Sequence, residues 1–178
     1  GIGIDQTRVG LIKLLQDMGG QVEMLNIHSE GGEPVADIHV RHSPLTAIDN
    51  DPADIPSMVD EFPIAFIAAA MAQGRSIFRG LHELRVKESD RITAMAQGLR
   101  LIGARVEETE DGLIIDGSGG DPFAGGGPVV THLDHRIAMS FAIAGLVSRN
   151  GVTIDDMRPV ATSFPGFGDV LKALGARQ

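Results

Sequence analysis

The sequence predicts an α+β fold that is built on an internal repeat. Segments with helical and strand-like patterns alternate along the chain. Three segments also end alike, each with an amphipathic stretch closed by Gly and a small residue: LLQDMGGQVE, GLRLIGARVE and VLKALGARQ. Their separation corresponds to a repeat of roughly 60 to 75 residues. We therefore expect three repeat units, at about 1–50, 51–118 and 128–178.

The first unit is expected to contain one helix and two strands. Residues 5–18 place leucines at helical spacing behind a candidate cap, Asp5 or Thr7. Two strand-like runs follow at 21–27 and 35–42, and the second alternates apolar with polar residues. The opening strand and helix of the repeat have no counterpart here, and the chain begins at Gly rather than Met. Both observations indicate a missing N-terminal portion.

The second unit is predicted to have the order helix, strand, helix and hairpin. Residues 60–73 are apolar nearly all round, which is typical of a buried helix, and Pro63 falls in its first turn, where it is tolerated. A short strand is predicted over 75–80. A helix is predicted over 89–102, with one apolar stripe made of Ile92, Met95, Leu99 and Ile102. The hairpin is predicted over 104–117.

The third unit repeats this alternation after a Gly-rich segment. Residues 135–147 predict an apolar helix, 151–156 a strand and 167–176 a final helix. The Gly-rich segment, 116–128, is not followed by Lys and then Ser or Thr, so it is not a phosphate-binding loop of the Walker type. We expect a flexible connector there.

Composition excludes several classes of function. The 178 residues include no Cys, which rules out disulfides, thiolate catalysis and Cys-liganded metals, and it favours the reducing cytoplasm. A formal net charge of −9 and the lack of Trp and Tyr argue against a nucleic-acid-binding protein. No apolar run approaches the roughly 20 residues that a membrane span needs.

Ionisable side chains cluster at the start of three predicted helices. The clusters are Asp60-Glu61, the run 87–91 that includes Lys87, and Asp134-His135-Arg136. Each is a candidate anion site, because a helix start exposes unpaired N–H groups and the positive end of the helix dipole. Stacked repeats would bring equivalent helix ends to one rim.

Simpler interpretations remain for several of these residues. Asp60, Asp134 and Ser89 fit ordinary helix caps. Arg91 and Arg136 fit less well, since a cation at a helix start meets the unfavourable end of the dipole, and an anion bridging the two would explain them.

The spacing of Glu88 and Arg91, three residues apart, places them on one side of the third helix's first turn. They could form only a surface ion pair, or they could set a proton carrier beside an anion-binding guanidinium. The histidines lack the spacing of metal ligands, so no metal site is predicted.

Two longer motifs resemble one enzyme family. LRVKESDRITAMAQGL and THLDHRIAMSFAIAGL resemble the C-terminal signatures of the 5-enolpyruvylshikimate-3-phosphate synthase family, and PSMVDEFPIAFIAAA and VATSFPGF occur in the order that the family shows. The resemblance implies βαβαββ units about a pseudo-threefold axis, with helices packed inside mixed sheets. Family members are longer and have two such domains, with the active site between them. The chain would be a single C-terminal domain, 1–178, without the N-terminal domain.

The family's activity is transfer of the enolpyruvyl group of phosphoenolpyruvate to the 5-hydroxyl of shikimate 3-phosphate, with release of phosphate and without metal or cofactor. By resemblance, Asp60 is the base for the 5-hydroxyl, and Glu88 is the acid that protonates the methylene carbon. The implied partners are the two substrates and the missing domain, in a protein that is usually a monomer. The implied substrate-binding residues are Lys87, Arg91, Asp134, His135 and Arg136.

Two positions depart from the usual family pattern. Thr162 stands where many members have Lys, and Glu83 stands where many have Asn, and both departures resemble a divergent branch of the family. Because the absent domain supplies much of the substrate site, we expect the isolated chain to be catalytically silent. Two alternatives remain, namely enolpyruvyl transfer to a UDP-sugar, a branch that generally relies on Cys, and a non-catalytic module on the same repeat.

Overall fold

The computed structural model describes residues 1–176 and has the α+β architecture that the sequence predicts. The last two residues of the third predicted unit, 177 and 178, lie outside the described residues. The strands are β1 (Ile2–Gly3), β2 (Gln21–Glu30), β3 (Glu33–Arg41), β4 (Arg75–Phe78), β5 (Arg105–Glu108), β6 (Leu113–Asp116), β7 (Gly126–Val129) and β8 (Val152–Ile154). The α-helices are α1 (Gly10–Asp17), α2 (Phe62–Met71), α3 (Arg91–Leu101), α4 (His135–Leu146), α5 (Arg158–Ser163) and α6 (Phe167–Ala173).

The strands form three separate sheets. The orders are β1-β3-β2 and β4-β6-β5, both with antiparallel neighbours, and β7-β8, which is parallel. Isolated parallel bridges at Thr46 and Asp49 add the chain before α2 to the edge of the second sheet, which makes that sheet mixed. The division of the chain into three repeat units stays a prediction.

Three helices contact one another in the centre of the molecule. α2 touches both α3 and α4, and α3 touches α4. Seven of the ten residues of α2 are buried, as expected for a helix that is apolar all round. The predicted stripe of α3 is also fully buried, and its members are Ile92, Met95, Leu99 and Ile102.

Close packing of α3 on α4 depends on one glycine. A Cβ at Gly98 would lie 2.6 Å from Cε2 of Phe141, a ring that is fully buried in α4. A larger residue at position 98 would therefore push the two helices apart. The N-termini of these same helices carry Arg91 and His135-Arg136, so this contact holds two of the predicted clusters side by side.

The structure corrects some of the predicted local features. The Gly-rich segment 116–128 is not a free connector, because its backbone N–H groups at Ser118, Gly119 and Gly120 donate to the last carbonyls of α2. Phe123 in the same segment is 4% exposed. The first helix starts at Gly10 rather than at residue 5, since Asp5 instead accepts from the N–H of Thr7 in a preceding turn. Strand β7, the short helix α5 and 3₁₀ turns over Pro52–Ser57, Val59–Glu61 and His82–Val86 had no clear sequence signal.

Candidate active site

A buried guanidinium lies at the centre of the site. Arg91, the first residue of α3, is only 1% exposed, and its three nitrogens each donate to a different carboxylate. The Nε donates to Asp134 (2.8 Å), Nη1 to Asp60 (2.9 Å) and Nη2 to Glu88 (2.6 Å). These four residues are separated by up to 74 positions in the sequence and come from three of the predicted clusters. The fold therefore brings those clusters together, as the stacked helix ends suggested.

Asp134 joins two helix starts. Its side chain is fully buried, and one oxygen accepts from Arg91 and from the Ser89 hydroxyl (3.1 Å). The other oxygen accepts from the backbone N–H of Arg136 (2.9 Å), so Asp134 is the predicted N-cap of α4 as well as the partner of Arg91. Ser89 is not the cap of α3, as one interpretation had it, because Asp90 takes that place.

Asp60 faces three cations. It lies in the 3₁₀ turn Val59–Glu61, before α2 begins, and its side chain caps neither element. Besides Arg91, it lies 3.8 Å from Nζ of Lys87 and 3.6 Å from Nη2 of Arg136. The helix-cap interpretation of Asp60 is therefore wrong, and its 40% exposed carboxylate is open to solvent at the centre of the charged cluster.

The two remaining cations also have acidic partners. Lys87 donates to Glu83, and Arg136 donates to Glu61 (3.2 Å) and to the backbone carbonyl of Asp60 (3.0 Å). The site thus holds five carboxylates against three cationic side chains, an excess of two negative charges.

The ion pairs stabilise the charged forms of Asp134, Asp60 and Lys87. Burial raises the pKa of Asp134, but the hydrogen bond and charge of Arg91 outweigh burial and bring that pKa below its ordinary 3.8. Burial likewise raises the pKa of Asp60, and the Arg91 hydrogen bond together with the Arg136 charge lowers it overall. Glu83 raises the pKa of Lys87. At neutral pH, Asp60 is therefore ionised and able to accept a proton.

Glu88 and Arg91 do not form the surface ion pair that was one sequence interpretation, since Arg91 is buried. Glu88 precedes α3 rather than lying on it, and its carboxylate is 56% exposed. It shares the guanidinium of Arg91 with Asp60, so the two carboxylates occupy adjacent nitrogens of one cation. An exposed pair of carboxylates held in this way can exchange protons with a substrate on the open side of the site.

The structure places His135 on α4 and Thr162 on α5. His135 is half-buried at the first residue of α4, next to the capping Asp134. Thr162 is exposed on α5, which packs against α4. Within residues 1–176, no group of three or more His, Asp or Glu side chains is arranged to hold a metal ion. No helix in that part of the chain is long and apolar enough to cross a membrane.

Sequence reasoning missed one basic residue near the site. Arg8, in the turn before α1, lines a polar cavity of about 360 Å³ together with Asp60, Glu61 and Arg136. Arg85, in the 3₁₀ turn His82–Val86 two residues before Lys87, is described below. The local sequence gives no signal for Arg8, because its proximity to Asp60 depends on how α1 packs beside the 3₁₀ turns.

The sequence of the chain is similar to that of known proteins. Residues 1–171 match the model of the EPSP synthase (3-phosphoshikimate 1-carboxyvinyltransferase) family. A protein of that name from Novosphingobium aromaticivorans is 63% identical over 175 residues, which are 97% of this chain and 40% of the relative. One from Sphingopyxis alaskensis is 61% identical over 173 residues, which are 97% of this chain and 39% of the relative. The chain thus spans about two fifths of the length of these relatives.

The fold of the chain is also similar to that of solved structures. EPSP synthase from Acinetobacter baumannii superposes with a TM-score of 0.93 at 46% identity, covering 96% of this chain and 40% of that one. The enolpyruvyl transferase NikO from Streptomyces tendae superposes with a TM-score of 0.66 at 20% identity, covering 99% and 38%, and supports the fold alone. The chain belongs to the EPSP synthase family.

Proposed function

We propose that the protein containing this chain transfers the enolpyruvyl group of phosphoenolpyruvate to the 5-hydroxyl of shikimate 3-phosphate and releases phosphate. The observation that supports this most is the pair of exposed carboxylates, Asp60 and Glu88, held on adjacent nitrogens of the buried Arg91. Family membership supplies the reaction, and the geometry supplies two carboxylates that can take separate roles. The proposed reaction, and the residue roles proposed below, need no metal or organic cofactor.

The two carboxylates divide the proton transfers. Asp60, ionised at neutral pH, accepts the proton of the 5-hydroxyl as that oxygen attacks the central carbon of phosphoenolpyruvate. Glu88, protonated in the substrate complex, donates its proton to the methylene carbon, which completes the addition. In the elimination step, Glu88 takes a proton back from the resulting methyl group while the C–O bond to phosphate breaks, and the leaving phosphate takes up the proton that Asp60 accepted. Lys87, 3.8 Å from Asp60, stabilises negative charge on the attacking oxygen.

Cationic side chains hold the anionic parts of the substrates. Arg91 and Arg136, with His135 beside them, bind the carboxylate and phosphate of phosphoenolpyruvate through guanidinium hydrogen bonds. The three hydrogen bonds to carboxylates leave one N–H on each terminal nitrogen of Arg91, so a substrate oxygen can accept from these N–H groups or replace Asp60 or Glu88. Asp134, fully buried, keeps Arg91 oriented during that exchange.

The chain by itself is proposed to be catalytically silent and to bind either substrate weakly. Both substrates are multiply charged anions, and the ion-paired cluster carries two more carboxylates than cations, an excess that Arg8 in the adjoining cavity only partly offsets. Further cations must come from the part of the protein that this chain does not span, since it covers about 39% of its relatives. We propose a monomer of two domains, and a cytoplasmic location in view of the lack of Cys.

Glu88→Gln in the complete protein tests the proposal. The substitution removes the exchangeable proton with little change in shape, so phosphate release is expected to fall by about 10²- to 10⁴-fold at unchanged folding. Glu107→Gln is the matched control, because Glu107 also pairs with an arginine, Arg75, but lies on β5. If the Glu88→Gln enzyme had the same turnover as the Glu107→Gln control, the proposed proton-transfer role of Glu88 would be wrong. Turnover with a UDP-sugar instead of shikimate 3-phosphate, or none in the unaltered protein, would contradict the function.

A further inference from the structure

Glu88, a proposed proton carrier, and Lys87, proposed to stabilise negative charge, lie on one short irregular segment. Lys87 and Glu88 fall between the 3₁₀ turn His82–Val86 and the first residue of α3, and Lys87 has extended backbone. Such a segment has few backbone hydrogen bonds of its own to fix it. Leu84 is buried on its N-terminal side, whereas Val86 is 80% exposed, so apolar packing anchors only one side of the segment.

Arg85 provides the other anchor. Its Nε donates to the carbonyl of Glu110 (2.8 Å), and Nη2 donates to the carbonyl of Thr109 (2.6 Å). Its Nη1 donates to the carboxylates of Asp90 (2.9 Å) and Glu108 (3.0 Å). One guanidinium therefore ties the segment to two places, the cap of α3 and the turn that joins β5 to β6.

Thr93 extends the same network. Its hydroxyl accepts from Arg85 Nη1 (3.0 Å) and lies 2.7 Å from a Glu108 oxygen, while its backbone N–H donates to Asp90 (3.0 Å). These contacts use the planar, forked shape of a guanidinium, which an ammonium group cannot reproduce. The side chain of Arg85 is 26% exposed, so the network is partly shielded from water.

We infer that Arg85 is a positioning residue for Lys87 and Glu88. It holds the short segment on which both side chains stand against α3 and the β5–β6 turn, and it does not itself touch the open side of the site. This inference rests on the proposed function, because the consequence of mispositioning is loss of turnover. A displacement of about 1 Å in a catalytic group can lower the rate by about 100-fold.

Arg85→Met and Arg85→Lys in the complete protein test the inference. We expect kcat to fall by about 100-fold in both variants, while KM for each substrate stays within about 3-fold. Lys is expected to rescue little, because it keeps the charge but not the fork. Arg75→Met is the matched control, since Arg75 also joins strands β5 and β6 through Glu107 and Asp116 but does not contact the segment. It should retain the unaltered kcat.

Hydrogen–deuterium exchange distinguishes a failure of the positioning role of Arg85 from a failure of the proposed function. Backbone amides of residues 82–90 should exchange faster in Arg85→Met than in Arg75→Met, whether or not the protein proves to be an enolpyruvyl transferase. No phosphate release from the unaltered protein would count against the proposed function alone. Unchanged exchange, or unaltered kcat in folded Arg85→Met, would overturn the positioning role. Should Arg85→Met fail to fold, Glu108→Ala removes one acceptor of Arg85 Nη1 and is expected to lower kcat by a smaller factor, and an unaltered kcat there would also overturn the role.

Discussion

Asp134→Ala removes a carboxylate that is fully buried beside a guanidinium that is itself only 1% exposed. The substitution takes away three hydrogen bonds at once, from Arg91 (2.8 Å), from the Ser89 hydroxyl (3.1 Å) and from the backbone N–H of Arg136 (2.9 Å). It leaves the charge of Arg91 buried with one partner fewer and the first turn of α4 without its cap.

The structure sets the size of the effect. Breaking a buried ion pair costs about 3–5 kcal/mol, and losing a helix N-cap costs about 1 kcal/mol. Arg91 keeps its contacts with Asp60 and Glu88, which reduces the first contribution to the low end of its range or below. We therefore expect the free energy of unfolding to fall by about 3–4 kcal/mol, a large part of a typical domain's total of about 5–15 kcal/mol.

Urea unfolding of this chain followed by far-UV circular dichroism measures the loss, since the sequence has no Trp or Tyr for fluorescence. Asp156→Ala is a matched control. Asp156 also accepts from the backbone N–H two residues on (2.9 Å) and from the guanidinium of the same residue, Arg158, but that arginine is 89% exposed. Only a small loss is expected in the control. Equal, small losses in the two variants would show that the Asp134–Arg91 pair does not stabilise the structure as a buried ion pair.

Two further predictions concern pH and packing. The pKa values of Asp134 and Asp60 lie below 3.8, so their stabilisation is fully present above about pH 4 and is lost as the pH falls through the lowered values. Asp134→Asn should therefore show a shallower loss of stability between about pH 5 and pH 2 than the unaltered chain, and an equal slope would contradict the assignment. Gly98→Ala should destabilise by about 1–3 kcal/mol because its Cβ would overlap Phe141, whereas Gly168→Ala in α6, with open space, should not. The midpoints of urea unfolding test the packing prediction. It is wrong if neither Gly98→Ala nor Gly168→Ala lowers the midpoint.

The secondary structure of the apolar helices could be predicted because burial leaves a direct pattern in the sequence. The stripe of α3 and the all-apolar α2 were both confirmed, with their ends displaced by one or two residues. Strand β7 was missed because its sequence, GGPV, lacks β-branched residues except at its end. The Gly-rich segment 116–128 was misread because its role, donating N–H groups to the end of α2, depends on a tertiary contact.

The site could be predicted only as separate pieces. The sequence indicated that Arg91 was poorly placed for a helix start, and the structure explains this through three carboxylates around it. It could not show which carboxylates those were, because Asp60 and Asp134 lie 31 and 43 residues away. The network of Arg85 was invisible for the same reason, since four of its five acceptors lie on or beyond the start of α3.

We propose that the cluster around Arg91 is one part of an enolpyruvyl transfer site that the rest of the protein completes. The most direct measurement is phosphate release from phosphoenolpyruvate and shikimate 3-phosphate by this chain mixed with the remaining part of the same protein, with each part alone as control. We predict release in the mixture and none from either part alone. Silence in all three samples, with both parts folded and associated, or release by this chain alone, would contradict the account.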